Sequence, residues 1–422
     1  MALCRSVAPT GRAVPMVITD RGKLIMNTIS RRYAGALTCL VLLYGCATRE
    51  AGITGASGAS GASGGAPGSL YANGKLTAMG EARLAHAAKA YSEGNEAQAY
   101  AEFLVLAEQG HGESQYNLGV MDGDGVADGA PDIPKAIAWL QKADGAGYPG
   151  ALFQLGVHHY KGVGVARDVP KGVAYWRTCA ARGDNDCAFN AAAVLATGKG
   201  MLADRASAMT LFAQAGRGPG AKVAAQSELA RMYMADGKPN DHVKAIEWFE
   251  AAAANNDAQS QHQLARFYIE GVIVKADQRR ALSMYQRAAA QGYAPSLNNL
   301  AILYRYGDGV ARDQGRAVTM FRQAHEAGML EATVNLGDVT FMGWGTRADK
   351  TAGVRLYQIA ADTGHPAGRC RYAQALRHGD GVARNVALAK RLKDAAENAG
   401  YPCHSDEPLG KSLFNTRSKG RS

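Results

Sequence analysis

Few residues of this 422-residue chain have the types and spacing that chemistry requires. Metal hydrolysis on a helix needs two histidines four apart with a glutamate between them, and no His-Glu-x-x-His occurs. A serine nucleophile activated by a lysine three residues on needs Ser-x-x-Lys, which is also absent. Gly61-Ala-Ser63-Gly-Gly65 matches the outline of a nucleophile elbow, but that motif needs a strand before it and a helix after it. Here it lies in low-complexity sequence. His158 and His159 are adjacent, so on a helix they point about 100° apart and cannot share a metal. Asp122-Gly-Asp124-Gly lacks the third ligand and the closing glutamate of a calcium loop. Gly-Asp-Gly recurs at 307–309 and 379–381, so turn geometry explains it better. Trp344, inside a Gly-Trp-Gly loop, reads equally as an exposed partner contact or as a buried plug. No catalytic residue, metal or cofactor is expected.

What does recur is structural. Leu155, Leu264, Leu300 and Leu336 each open a Leu-Gly or Leu-Ala phrase, with a glycine seven residues on (Gly162, Gly271, Gly307, Gly343). The period is 36 residues. A repeat of that length stacks helical hairpins, because each hairpin can bury its apolar face only against its neighbours. The small residue after the leucine lets the partner helix approach. Tyr233, Tyr268 and Tyr304, four residues past the leucine, share its helix face. Pairs such as Trp248-Phe249, Met284-Tyr285 and Met320-Phe321 anchor the second helix. Gly-x-Gly-Val loops (Gly162 to Val165, Gly307 to Val310, Gly379 to Val382) reverse the chain between helices. Nine hairpins result, from about 77 to 403. Two copies are irregular: the second has an altered 127–134 loop, and the fifth follows an insertion at Gly216–Gly220.

The phrase Leu-Ala-x-x-Tyr-x-x-Gly, then Lys/Arg-Ala-x-x-bulky-aromatic-x-x-Ala-Ala-x-x-Gly, resembles the Sel-1-like repeat, a subfamily of tetratricopeptide-like repeats. The resemblance spans about 300 residues. It implies an all-α fold: a right-handed α/α superhelical solenoid whose first helices line the concave face. On that face the residue before the marker leucine forms a ladder: Asn117, Gln154, Asn190, Glu228, Gln263, Asn299, Asn335 and Arg371. All are polar and six are amides, which both donate to and accept from a peptide backbone. The ladder is the candidate partner-binding site; a solvated helix face or capping between repeats is the alternative. The Cys179/Cys187 spacing resembles the Cys-x₇-Cys staple of the family's cysteine-rich Helicobacter branch, which implies a disulfide. Antiparallel packing should bring Cys370 and Cys403 together as a second bridge. Four free buried thiols are the alternative.

Residues 26–45 read as a signal peptide. Arg31 and Arg32 precede an apolar run, Ala34 to Gly45, too short to span a bilayer. Leu43-Tyr44-Gly45-Cys46 resembles the lipobox of bacterial lipoproteins, which implies lipidation at Cys46. Residues 1–25 are then an upstream extension. Residues 46–76 form a lipidated, Gly/Ala/Ser-rich tether, 77–403 the solenoid, and 404–422 a disordered tail. By the same resemblance, Ala47 in place of aspartate points to the outer membrane, with the chain facing the periplasm. The net charge of +10 is misleading, because six of the 47 basic residues lie in the first 45 beside one acid, Asp20. No aromatic-interleaved basic patch marks a nucleic-acid surface.

The expected function is a lipid-anchored periplasmic scaffold that holds envelope proteins or peptides in its concave groove. The resemblance extends to an accessory role in cell-envelope or exopolysaccharide assembly, which no residue here selects. The other reading is a β-lactamase-like or peptidoglycan-directed hydrolase, as the cysteine-rich branch implies.

Overall fold

The computed structural model describes residues 70–72, 75–126, 129–237 and 239–403. The signal segment, Cys46, the Gly/Ala/Ser stretch and the 404–422 tail lie outside the described residues. Among the described residues eighteen helices form nine hairpins. They are α1 (Ala78–Ser92) with α2 (Glu96–Glu108), α3 (Gly112–Asp124) with α4 (Ile133–Gly145), α5 (Pro149–Lys161) with α6 (Val169–Ala181), α7 (Asn185–Thr197) with α8 (Arg205–Ala215), α9 (Val223–Asp236) with α10 (Pro239–Ala254), α11 (Ala258–Glu270) with α12 (Gln278–Ala290), α13 (Ala294–Tyr306) with α14 (Gln314–Glu326), α15 (Leu330–Met342) with α16 (Lys350–Asp362), and α17 (Pro366–His378) with α18 (Val386–Asn398).

Each hairpin is punctuated at fixed places. The first helices of six of the regular copies end on a glycine with positive φ, 75° at Gly162 and Gly307, 73° at Gly343 and Gly379 and 65° at Gly198 and Gly271, a conformation glycine adopts cheaply. The second helices start on a carboxylate or amide cap. Asp168, Asp204, Asp277, Asp313, Asp349 and Asn385 each accept a hydrogen bond from the backbone N–H three residues on. Each cap satisfies a donor that would otherwise lack a partner, worth about 1 kcal/mol.

The chain divides into two compact units, Met1–Ala225 and Gln226–Ser422, and the division falls inside α9, at the irregular fifth copy. Within the first unit each of α1 to α8 packs on its sequence neighbours, and within the second α10 to α18 do the same. In the first, Leu84, Tyr91, Phe103, Leu106, Leu118 and Met121 form one buried cluster. In the second, Val334, Phe341, Val354, Tyr357, Tyr372 and Leu376 form another. Side chains of this size each contribute about 1.5–3 kcal/mol on burial. The anchor residues are inside: Phe249, Tyr285 and Phe321 are buried, as are Tyr268 and Tyr304. The small residue after the leucine is needed where it stands. A Cβ on Gly156 would lie 2.3 Å from Trp176 Nε1, and one on Gly337 would lie 2.6 Å from the Tyr357 ring.

Residues 70–72 and 75–76, read from sequence as the end of the tether, are part of the fold. Tyr71–Ala72 (β1) pairs antiparallel with Lys75–Leu76 (β2). Leu70 is buried in the first unit's core, and its carbonyl accepts from the Thr77 N–H. The insertion before the fifth hairpin is held locally as well: Asn185 Nδ2 donates to the carbonyls of Pro219 and Gly220.

Candidate functional site

The ladder residues occupy one register position on eight first helices, α3 to α17, but they are not an open strip. None is exposed. Asn117 on α3 is fully buried, and neither amide atom has a hydrogen-bond partner among the described residues. Gln154 on α5 is half-buried. Asn190 donates back to the Asp186 carbonyl on its own helix. Glu228 pairs with Arg231, and Gln263 accepts from Arg266 at 3.5 Å.

In the second unit the row becomes a network. Asn335 Nδ2 on α15 donates to Asn298 Oδ1 on α13 at 2.8 Å. Asn298 Nδ2 donates to Asn299 Oδ1 at 3.3 Å, and Asn299 Nδ2 donates to the Tyr285 hydroxyl on α12 at 3.1 Å. Three helices are thus tied by amides, each with further donor or acceptor capacity. Next along, the Arg371 Nε lies 3.3 Å from Asp338 Oδ1, which also accepts from the Tyr357 hydroxyl at 2.9 Å. Arg371, the basic departure from the amide pattern, has a carboxylate two residues past the preceding marker leucine as its partner.

Beside this network, His262 Nδ1 stands 2.9 Å from Ser296 Oγ. The imidazole packs against Tyr285 and Tyr293 with ring centroids 5.4 and 5.5 Å away. Burial, reinforced by the Arg266 charge, pushes its pKa down to about 4, so it is neutral at pH 7. Serine beside histidine is half of a nucleophilic pair. Ser296 is fully buried, and no carboxylate among the described residues orients the imidazole, so the pair is built to join two first helices.

The remaining motifs resolve into structure. Asp122 is buried and accepts from the Tyr100 hydroxyl, with Lys135 Nζ at 3.3 Å, joining the first two hairpins. Burial raises its pKa against those partners. His159 stacks on Tyr175, whereas His158 Nδ1 faces the Val163 carbonyl, so the two imidazoles have separate surroundings. Cys179 and Cys187 are joined, with Cα atoms 5.7 Å apart, and so are Cys370 and Cys403, at 5.4 Å. Asp184 lies near the first pair in a grouping that could otherwise hold a metal. The sulfurs are already bonded to each other, and Asp184 caps α7 through the Cys187 N–H.

His262, Ser296, Asn298 and Asp338 escaped the sequence reading, which followed one column. The signal was present in neighbouring registers, in polar residues four or two before the marker leucine, or two after it.

The Sel1 repeat family model matches residues 112–143, 149–184, 185–218, 223–257, 258–293, 294–329, 330–365 and 366–397. Among solved structures the chain is similar to a protective antigen present in uropathogenic Escherichia coli strains displaying an SLR fold. That match has 26% identity, covers 78% of this chain and 68% of that one, and has a TM-score of 0.64. It also resembles in fold a Sel1 repeat protein from Oxalobacter formigenes, at 22% identity, with coverage of 75% and 89% and a TM-score of 0.60.

Proposed function

This chain belongs to the Sel1 repeat family, and from that premise we propose that it is a lipid-anchored periplasmic scaffold whose first helices hold an envelope protein or peptide. An array of this kind is consistent with protein–protein interaction. The observation that carries the finer reading is the amide network Asn335–Asn298–Asn299–Tyr285. It pre-positions the half-buried amides of Asn299 and Asn335 on successive first helices, where an extended backbone can pair with their remaining donors and acceptors. Amides already held in place lose little side-chain entropy on binding.

The location rests on Arg31-Arg32, the apolar run to Gly45 and Cys46. The four cysteines of the folded part, paired in two disulfides, support an oxidising compartment. Crosslinking in intact envelopes followed by pull-down, repeated with Cys46→Ser, tests both parts. A partner captured from the membrane fraction by the wild type, with the variant released from that fraction, is the expected result. Retention of the Cys46→Ser chain in the membrane contradicts the anchor, and the lack of any specific adduct contradicts the scaffold.

A hydrolase is the second reading, favoured only by the Cys179–Cys187 bond, which resembles the staple of the cysteine-rich branch. Turnover of nitrocefin by the purified protein separates it from the first.

A further inference from the structure

Arg305, at the end of α13, is 7% exposed, and no carboxylate among the described residues lies within ion-pair distance of it. Its guanidinium lies over Trp344, with the central carbon 4.2 Å from the ring centroid, and 5.0 Å from that of Tyr306. Trp344 comes from the loop after α15, one repeat further on, so the stack bridges two hairpins. None of the guanidinium N–H groups has a hydrogen-bond partner among the described residues, yet the nitrogens are not sealed from solvent. Burial works against the charge. The groups it feels are Tyr306, Asp338, Tyr357 and Arg371. Asp338 is engaged by Arg371 and by the Tyr357 hydroxyl. With Asp338 so engaged, Arg305 has no carboxylate partner of its own among the described residues. A buried cation is costly unless it is paired.

We propose that Arg305 is a recognition site for one carboxylate of a bound peptide segment, with Trp344 packed against the guanidinium. With Trp344 against it, the guanidinium still carries the fork of N–H donors that matches a planar carboxylate in bidentate fashion. A carboxylate supplies the negative partner that buried Arg305 lacks. The carboxylate can come from an aspartate or glutamate side chain or from a free C-terminus. This inference rests on the scaffold reading and narrows the chemistry of its guest.

The test is to pan two random decapeptide libraries, one with blocked and one with free C-termini, on the full-length protein and on Arg305→Gln, Arg305→Lys and Arg322→Gln. Arg322 is an exposed arginine on α14 and serves as the charge control. Thermal melts check that each variant folds. The wild type and Arg322→Gln should enrich acidic residues at one position, or free C-termini, about ten-fold. Arg305→Gln should lose the enrichment, and Arg305→Lys, which keeps the charge without the fork, should fall between. Which library enriches tells side chain from C-terminus. Equal enrichment by wild type and Arg305→Gln overturns the proposal, and so does a failure to enrich acids. Peptide capture without acid preference would overturn this inference and leave the scaffold standing. Arg305-dependent acid capture without any envelope partner would do the reverse. If phosphate alone, and no acidic peptide, quenches the emission that Trp344→Phe removes, the carboxylate assignment is overturned.

Discussion

Arg371 and Asp338 form an ion pair between consecutive repeats, 3.3 Å from Nε to Oδ1, with both side chains mostly withdrawn from solvent. Asp338 also accepts from the Tyr357 hydroxyl, which is fully buried. Removing one partner of such a pair strands the other. Arg371→Met should therefore destabilise the second unit by about 2–4 kcal/mol. Urea unfolding, with Asp338→Asn and the double variant completing the cycle, checks it. A coupling energy near zero would mean that the pair only happens to lie close.

The Cys370–Cys403 bond closes the last hairpin over a separation of 33 residues, and Cys179–Cys187 closes a short one of 8. Chain-entropy arguments give about 2–4 kcal/mol for loops of these sizes. Reduction should raise amide exchange in α17 and α18 most, because a terminal hairpin is supported from one side only. Hydrogen exchange by mass spectrometry, with and without reductant, reads the difference. Uniform loss of protection along the array would contradict the idea of a local clamp.

Gly156→Ala places a Cβ where Trp176 Nε1 now donates to the Phe153 carbonyl at 3.1 Å. Either the indole leaves that hydrogen bond or the two helices of the hairpin separate. The expected cost is about 1–3 kcal/mol, visible as a lower thermal midpoint and a changed tryptophan emission. Gly145→Ala, with nothing near its Cβ, is the control and should be neutral.

His262 gives a pH signature. Its pKa is lowered by burial to about 4 in the folded protein, below the ordinary 6.5. As pH falls from 6.5 toward 4 the unfolded chain takes up a proton that the folded one does not, so stability declines through that window. The contribution is on the order of 1–3 kcal/mol. His262→Gln should be less stable at pH 7.5 and should lose less on acidification to pH 4.5. Parallel slopes for wild type and variant would remove His262 from the account.

The hairpins were legible because their signals are local and repeat: a marker leucine, a small residue after it and a glycine seven residues on; the caps Asp277, Asp313, Asp349 and Asn385 are equally regular but went unread. The ladder was legible as a column of residue types, but its state was not. Whether Asn335 faces solvent or reaches Asn298 depends on the neighbouring helix, one full period away. Arg305 was less legible still. Its register position holds Tyr160, Ile269 and Phe341 in other copies. Only the packed stack brings Trp344 of the next loop over it. Leu70 was misread for the opposite reason, since a low-complexity stretch ends just before a buried leucine.

The central claim is that the first-helix face holds an envelope partner, and site-specific photocrosslinking tests it most directly. A photoreactive side chain is placed at Gln154, Gln263 or Asn299, and as a control at exposed Arg322 on a second helix. Ultraviolet irradiation of intact envelopes should give one discrete adduct from the first-helix positions and none from the control. The yield at Gln263 should fall when Asn299 and Asn335 are both changed to alanine. Adducts from the second-helix position alone, or adducts at the first helices that those alanines leave unchanged, would contradict the account.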